Sequence, residues 1–344
     1  MKKLEQLRRV VSTLLDPQNS ASSLRPVVVE LKEILAGSQT VWSAPRDDIS
    51  SGQTRTTSGL ALSPTMAAMC ADDYVRTVEF IRGTYAAISD VRDRFPDRPA
   101  RVLYIGCGPY ATLAVPLMAV FSAAEATFTL IDVHSESIAS AKSVVETLGL
   151  SQSITSFETL DAGSYGVCPE RPPDVILIEI MQRCLASEPQ VAITRHLLRQ
   201  APNAILVPDE VKIHLMLVDP SREFDLTALE QNRTPIPRDR IPVGPVFVLN
   251  RATVSSWEGN GDFTLPAATV KIPDSLEERY QPMLFTDVCI YQDHVLKDYD
   301  SGLTYPQKLR VDGSILPGAT IDFYYELGDH PRLNGSVRKL GGAE

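Results

Sequence analysis

"RVLYIGCGPYATLAVPLMAVFSAAEATFTLID", residues 101–132, decides the fold of this chain. It begins with an apolar run of strand length, Val102 to Ile105, that ends on Gly106 and Gly108. The stretch 109–124 reads as a helix, and "TFTLID" (127–132) as a second strand closed by a carboxylate. Strand, glycine turn, helix and strand in that order make one half of a doubly wound α/β sheet. Glycines at such a turn let the backbone approach a ligand closely. Asp132, about 24 residues after Gly108, is placed to accept the hydroxyls of a ribose. Ala111 stands where a dinucleotide fingerprint has its last glycine, a position that tolerates Ala, so the turn alone leaves the nucleotide open.

The alternation continues downstream. "SESIASAKSVVETLG" (135–149) predicts a helix capped by Ser and closed by Gly149. "SITSFETL" (153–160), "DVILIE" (174–179) and "AILVPDEVKIHLML" (204–217) read as the third, fourth and fifth strands, with a helix near 189–200. Alternating elements imply right-handed crossovers and a mostly parallel sheet. After about residue 216 the texture changes. "PVFVLN", "ATVSSW", "FTLPAATVKI", "MLFTDVCIYQ", "KLRVDGSI" and "TIDFYYEL" are short apolar stretches separated by Pro, Gly, Asn and Asp, the pattern of an antiparallel β domain. "TALEQNRTPIPRDRIPVGP" (227–245) is Pro-rich and predicts an arm or a long loop.

Upstream, apolar spacing predicts helices over 1–16 (Leu4, Leu7, Val11, Leu14) and 25–36 (Val28, Leu31, Leu35), separated by the turn-rich "DPQNSASS". Residues 37–58 are polar and expected to form a mobile loop, followed by a long helix over 64–93. The expected organisation is a helical extension (1–60), a Rossmann-like α/β domain (61–215) and an antiparallel β-barrel-like domain (216–344).

With 344 residues, 44% hydrophobic and 22% charged, the chain has the composition of a globular protein with room for two domains. A net charge of −10 argues against nucleic acid as a partner. The five cysteines form no C-x-x-C and the five histidines no ligand spacing, so neither a metal site nor a disulfide framework is expected. "MKKLEQLRRVVSTLL" lacks the continuous apolar core of a signal peptide and no apolar run reaches the length of a membrane span. The expected address is the cytoplasm, with no membrane partner.

"DVILIEIMQRCLASE" (174–188) ends an apolar strand on Glu179 and brings Glu188 nine positions later, with Arg183 the only charge between them. Glu188 alone has two readings: an ordinary acid flanking the helix that begins at Pro189, or the partner of Glu179. Arg183 likewise faces solvent or partners one of the acids. Pro208 and Asp209 follow downstream in "LLRQAPNAILVPDEVKIHLM", and Arg76 lies upstream in "MCADDYVRTVEFIRGTYAAI".

Taken in order, residues 66–344 resemble the protein arginine N-methyltransferase family. The resemblance is carried by "MCADDYVRTVEFIRGTYAAI", "YIGCGPY" with Asp132, the glutamate pair, and the Pro208–Asp209 segment. It implies a class I methyltransferase that uses S-adenosyl-L-methionine (SAM). Arg76 would grip the SAM carboxylate, and Gly106, Gly108, Asp132 and Asp161 would also bind the cofactor. Glu179 and Glu188 would be the catalytic carboxylates, and a homodimer would form through an arm such as 227–245. The chemistry is coherent. A guanidinium is planar, always charged and presents its N–H donors as a fork. Two carboxylates can hold most of that fork and orient one nitrogen toward a methyl donor.

The match departs around the substrate. Tyr104 stands where the family has an acid, Tyr110 replaces a glycine, and "GQTRTTSGLALSPTM" (52–66) has no counterpart of the family's tyrosines and histidine over SAM. In "GLTYPQKL" (302–309), Tyr305 takes the place of a substrate-side histidine, leaving Asp72 or Asp73 to reach the site with Tyr305. The resemblance therefore implies a diverged member acting on free L-arginine or another small guanidino compound. Three alternatives stay open: a protein arginine methyltransferase, a nicotianamine-synthase-like aminocarboxypropyl transferase, which "GCGPYATLAVPL" also resembles, and a non-catalytic SAM-binding partner subunit.

Overall fold

Helices α1 (Lys2–Leu15) and α2 (Arg25–Ala36) open the computed structural model, which describes residues 2–41, 48–224, 236–257 and 263–338. Their apolar stripes bury Leu7, Val11 and Leu14 from one and Val28, Leu31 and Leu35 from the other, while Leu4 is half-buried. Arg82 fastens α1 to the body of the protein. Its guanidinium donates to the carbonyls of Leu14 (2.6 Å), Asp16 (2.9 Å) and Asn19 (2.8 Å), satisfying groups that a helix C-terminus leaves unpaired.

The polar stretch 37–58, expected to be a mobile loop, ends in the first strand and turn of a hairpin, β1 (Thr54–Thr56), whose second strand β2 (Gly59–Ala61) follows it; residues 42–47 lie outside the described residues. The single helix expected over 64–93 is two, α3 (Pro64–Met69) and α4 (Tyr74–Arg94), joined by a 3-10 turn over Cys70–Asp72. The break falls at Asp73, which leaves helical geometry (ψ 81°) and caps α4 by accepting from the Arg76 N–H. An aspartate offers the backbone this alternative to another helical turn.

Five parallel strands follow: β3 (Ala100–Ile105), β4 (Ala126–Asp132), β5 (Ile154–Thr159), β6 (Val175–Ile178) and β7 (Ile205–Val207), in the order β5-β4-β3-β6-β7. This is the Rossmann-like order, with the winding reversing between β3 and β6, and ligands bind at the strand carboxyl ends of such a switch point. All four residues of β6 are 0% exposed, as a central parallel strand covered on both faces requires. The crossover helices include α5 (Val115–Val120), α6 (Ser135–Thr147) and α7 (Gln190–Gln200). Helix α5 is much shorter than the predicted 109–124. Residues 109–114 turn, with Ala111 at φ 43°, and the helix starts only where Pro116 fits its first turn. His134, not a serine, is the N-cap residue of α6. Gly149 (φ 72°) closes α6, with Leu150 N–H on the Val145 carbonyl (2.9 Å) and Gly149 N–H on that of Glu146 (3.0 Å), a Schellman motif.

The fifth predicted strand, 204–217, divides. Its first part is β7, and its second is β8 (Glu210–Val218), which belongs to an antiparallel sheet. Pro208 at the division has no N–H to continue a ladder. Beyond β8 come α8 (Pro220–Glu223), β9 (Arg240–Asn250), α9 (Arg251–Ser256), β10 (Thr264–Lys271), β11 (Gln281–Tyr291), β12 (His294–Leu296), β13 (Gln307–Lys308), β14 (Thr320–Glu326) and β15 (Arg332–Val337). They form antiparallel sheets β12-β11-β8-β9, with β13 paired to β11, and β10-β14-β15. The sheets meet around Phe247, which stacks on Trp257 and Tyr325 with ring centroids 5.6 and 4.8 Å away, in a barrel-like arrangement. "ATVSSW", expected as strand, is α9. Asn250 and Thr253 form a reciprocal capping box that outweighs the β-branched composition. Residues 227–235 of the expected arm lie outside the described residues, and the arm's end begins β9. Among the described residues no helix is long and apolar enough to cross a membrane.

Candidate active site

A cavity of about 430 Å³ opens at the carboxyl ends of β3, β4 and β6. The glycine turn, Asp132, Glu179, Glu188, the β1–β2 hairpin and the 302–305 turn wall it. Gly106 (φ 69°) and Gly108 (φ 62°) hold left-handed backbone, and a Cβ on Gly106 would collide with Ile180 Cγ2. Asp132 accepts from the backbone N–H of Gly108 (2.9 Å) and of His134 (2.9 Å), so it fixes the glycine turn to the end of β4. His134 Nε2 in turn lies 3.0 Å from Thr54 Oγ1 on the hairpin. Asp161 lines the same wall and takes the Gly163 N–H (2.9 Å) as cap of a short 3-10 turn.

Glu179 follows β6 directly. Its Oε2 is ion-paired with the Arg76 guanidinium, reached across from the first turns of α4. The resemblance implied that Arg76 grips a cofactor carboxylate; its carboxylate partner in the structure is Glu179. Burial opposes the charge on Arg76, but Glu179 more than offsets it and holds Arg76 above its ordinary range; burial in turn raises the Glu179 carboxyl against the pull of Arg76. Glu179 Oε1 is buried and has no hydrogen-bond partner. Glu188 is 5% exposed, and burial, then the charge of Glu179, push its carboxyl up to about 8, with Arg76 and the Gln182 amide pulling the other way. The site therefore holds the Arg76–Glu179 pair beside a Glu188 carboxyl that keeps its proton well above the ordinary carboxylate range.

The loop between the two glutamates is irregular and firmly held. Cys184, Leu185 and Ser187 all have positive φ (56°, 53° and 67°), unfavourable for residues with a Cβ. Five elements hold it. The buried Gln190 amide of α7 accepts from Ile180 N–H (3.1 Å) and donates to the Ile178 carbonyl (3.0 Å). Thr286 Oγ1 on β11 accepts from Cys184 N–H (3.0 Å), and the Tyr325 hydroxyl on β14 donates to the Leu185 carbonyl (2.5 Å). Ser187 N–H donates to the Pro331 carbonyl (2.8 Å), and Leu60 N–H on the hairpin donates to the Ser187 carbonyl (2.8 Å).

The remaining predicted residues divide. Tyr305 lines the cavity, packed edge-on against Tyr299 at 5.2 Å. The Tyr299 hydroxyl donates to the fully buried Glu223 side chain, which Arg240 holds through two 2.7 Å bonds. Asp73 does not line the cavity. Its Oδ2 accepts from Ser301 Oγ (2.7 Å) and Gly302 N–H (2.9 Å), bracing the turn that carries Tyr305. Asp72 is also outside the wall: it is exposed at the end of the 3-10 turn and ion-paired with Lys32 at 2.5 Å. Sequence reasoning missed the hairpin wall, although Ser58–Gly59 between threonines and apolar residues is a turn signal. It also missed His134 and Gln190, whose roles rest on contacts that local pattern does not carry.

No protein-family model and no curated protein sequence matches the chain. Among solved structures it is similar to Arabidopsis thaliana protein arginine methyltransferase 10, at 11% identity over 77% of this chain and 92% of that one, with a TM-score of 0.43. It is also similar to PRMT6, at 12% identity over 74% of this chain and 95% of that one, with a TM-score of 0.42.

Proposed function

We propose that this protein is a SAM-dependent N-methyltransferase acting on a guanidinium nitrogen, with free L-arginine or a related small guanidino compound as acceptor. The carrying observation is the buried, unpartnered Glu179 Oε1 beside Glu188 in the wall of a cavity at the sheet's switch point. A buried acceptor calls for a donor, and two carboxyls on one wall favour a cationic, planar, fork-shaped one.

The residues present fit the cofactor. Gly106 and Gly108 hold left-handed backbone in the cavity wall, and the Asp132 carboxylate, which accepts from the Gly108 N–H, lines the same wall. Gly106, Gly108, Asp132 and Asp161 would hold the nucleoside, and Arg76 has further N–H donors for a carboxylate besides those on Glu179. SAM, when bound, supplies an electrophilic methyl on its sulfonium. The protein's part is orientation and proton management. Glu179 Oε1 and Glu188 fix the guanidinium so that one nitrogen faces the glycine turn. That nitrogen must shed one proton for each methyl it gains. Glu188, raised to about 8 in the empty site, loses its proton to solvent when a guanidinium binds beside it, and the resulting carboxylate is placed to accept the proton shed on methylation. Tyr305 and the hairpin residues Thr56, Leu60 and Ala61 complete the wall.

The test is incubation with labelled SAM and L-arginine, agmatine, arginine peptides or histones, with mass analysis of acceptor and number of methyls. E179Q is expected to lower kcat/KM by roughly 100-fold or more, the scale of losing one charged group aimed at the reacting centre. Undiminished turnover by E179Q would refute the assignment.

A further inference from the structure

Arg183 lies between the two glutamates in sequence and lines the same cavity. The other basic side chains on that wall are committed: Arg76 to Glu179, and His134 to Thr54 and the Asp132 carboxylate. Arg183 is exposed and forms no ion pair or side-chain hydrogen bond with any described residue. Neither glutamate is its partner. Glu179 is taken by Arg76, and Glu188 stays largely protonated near neutral pH. A guanidinium is charged at every working pH. An uncompensated positive charge beside a pocket for a cation weakens binding unless the ligand brings a negative charge of its own.

A second observation points the same way. On the far side of the two-glutamate loop, Cys184, Ala186 and Ser187 form one wall of a recess of about 310 Å³. Its other walls carry Lys308, Arg310, His330 and Arg332, of which Arg332 is ion-paired with Glu326 outside the recess and His330 lies 3.8 Å from Asp329. Lys308 and Arg310 have no ion-pair partner among the described residues. Gln307 and Lys308 continue directly from Tyr305, so the surface leading away from the cavity is positive on a chain whose net charge is −10. That surface opposes a cationic, arginine-rich polypeptide and accepts an acidic group.

We infer that Arg183 binds a carboxylate of the acceptor, so that the substrate is a small guanidino acid, with the guanidinium at the glutamates and the carboxylate on Arg183. The inference rests on the guanidinium reading of Glu179 and Glu188 and specifies what lies at the other end of the substrate.

The test is calorimetric binding of L-arginine, agmatine and L-argininamide in the presence of S-adenosylhomocysteine, to the full chain and to R183A, R183K and E179Q. The unmodified protein is expected to bind L-arginine roughly 10- to 100-fold more tightly than either carboxylate-free analogue, the worth of one charge-assisted hydrogen-bonded pair. R183A brings L-arginine down to the level of agmatine, R183K restores part of the difference, and S-adenosylhomocysteine affinity is the same in all three. Equal binding of arginine and agmatine, both lost in E179Q, would overturn the role of Arg183 while leaving the guanidinium site standing. A parallel loss of S-adenosylhomocysteine affinity in R183A would overturn it too, by placing Arg183 on the cofactor. Binding of none of the three would remove the guanidinium reading and this inference with it.

Discussion

Glu188 is a carboxyl kept neutral by its position. Burial and the charge of Glu179 raise it from 4.5 to about 8. Between those values the folded protein holds a proton that the unfolded chain has lost, so stability is full below about 4.5 and falls as pH rises through about 8. E188Q carries no such burden. Its melting temperature is expected to exceed that of the unmodified protein by roughly 2 °C or more at high pH, with the gap closing toward acid. Catalysis should be lost in the same variant, and kcat/KM of the unmodified enzyme should climb with pH along a limb centred near 8. Thermal unfolding from acid to alkaline pH, with a pH–rate profile, checks both. Glu179 was conspicuous in the sequence because a carboxylate ends an otherwise fully apolar strand. The ion pair it makes was not: Arg76 and Glu179 are 103 residues apart, and only the packing of α4 across the sheet's carboxyl edge brings them together.

At the scale of elements, the β1–β2 hairpin is the part of the site least visible beforehand. Its segment is polar and short of apolar residues, so neither helical nor strand periodicity marks it, and its place depends on docking. Leu60 N–H bonds the Ser187 carbonyl, and Gly59 passes so close that a Cβ would lie 2.8 Å from the Ser187 oxygen and 2.9 Å from Pro189 N. Those are backbone atoms and cannot swing aside, and φ at Gly59 is +147°. G59A must therefore push the hairpin off the loop that carries Glu188. The expected result is a fall in kcat/KM of about tenfold or more with the core fold retained, since a small displacement of an orienting group is costly. Activity together with circular dichroism checks it, and full activity in G59A would show that the hairpin does not set the loop. Elements with a strong local signal were legible: α1, α2, the glycine turn, β4 and the buried β6. The misplaced boundaries share a different cause. Long apolar runs conceal their internal breaks, as where Asp73 caps a new helix, Pro208 ends a ladder or Asn250 starts α9.

Across the whole molecule, the antiparallel half acts on the α/β half through the two-glutamate loop. Helix α4 carries Arg76 and packs so tightly on β11 that a Cβ on Gly83 would strike Ile290. From the same sheets, Thr286 and Tyr325 reach the loop's Cys184 N–H and Leu185 carbonyl. The wall proposed for the cofactor has a different origin: the glycine turn, Asp132 and Asp161 all belong to the parallel sheet and its loops. Loosening the contact at Tyr325 should therefore affect the two ligands unequally. Y325F keeps the ring that stacks on Phe247 and removes only the hydroxyl, leaving a buried carbonyl unpaired at a cost of about 1–3 kcal/mol. With Leu185 already at positive φ, that bond is the restraint on the Leu185 carbonyl in the turn leading to Glu188. The expected outcome is a higher KM for the guanidino acceptor and a lower melting temperature, with S-adenosylhomocysteine affinity unchanged. A lower melting temperature with both affinities intact would assign Tyr325 to stability alone. A parallel loss of both would mean that the two halves of the site move as one body, and that the loop is not the joint between them.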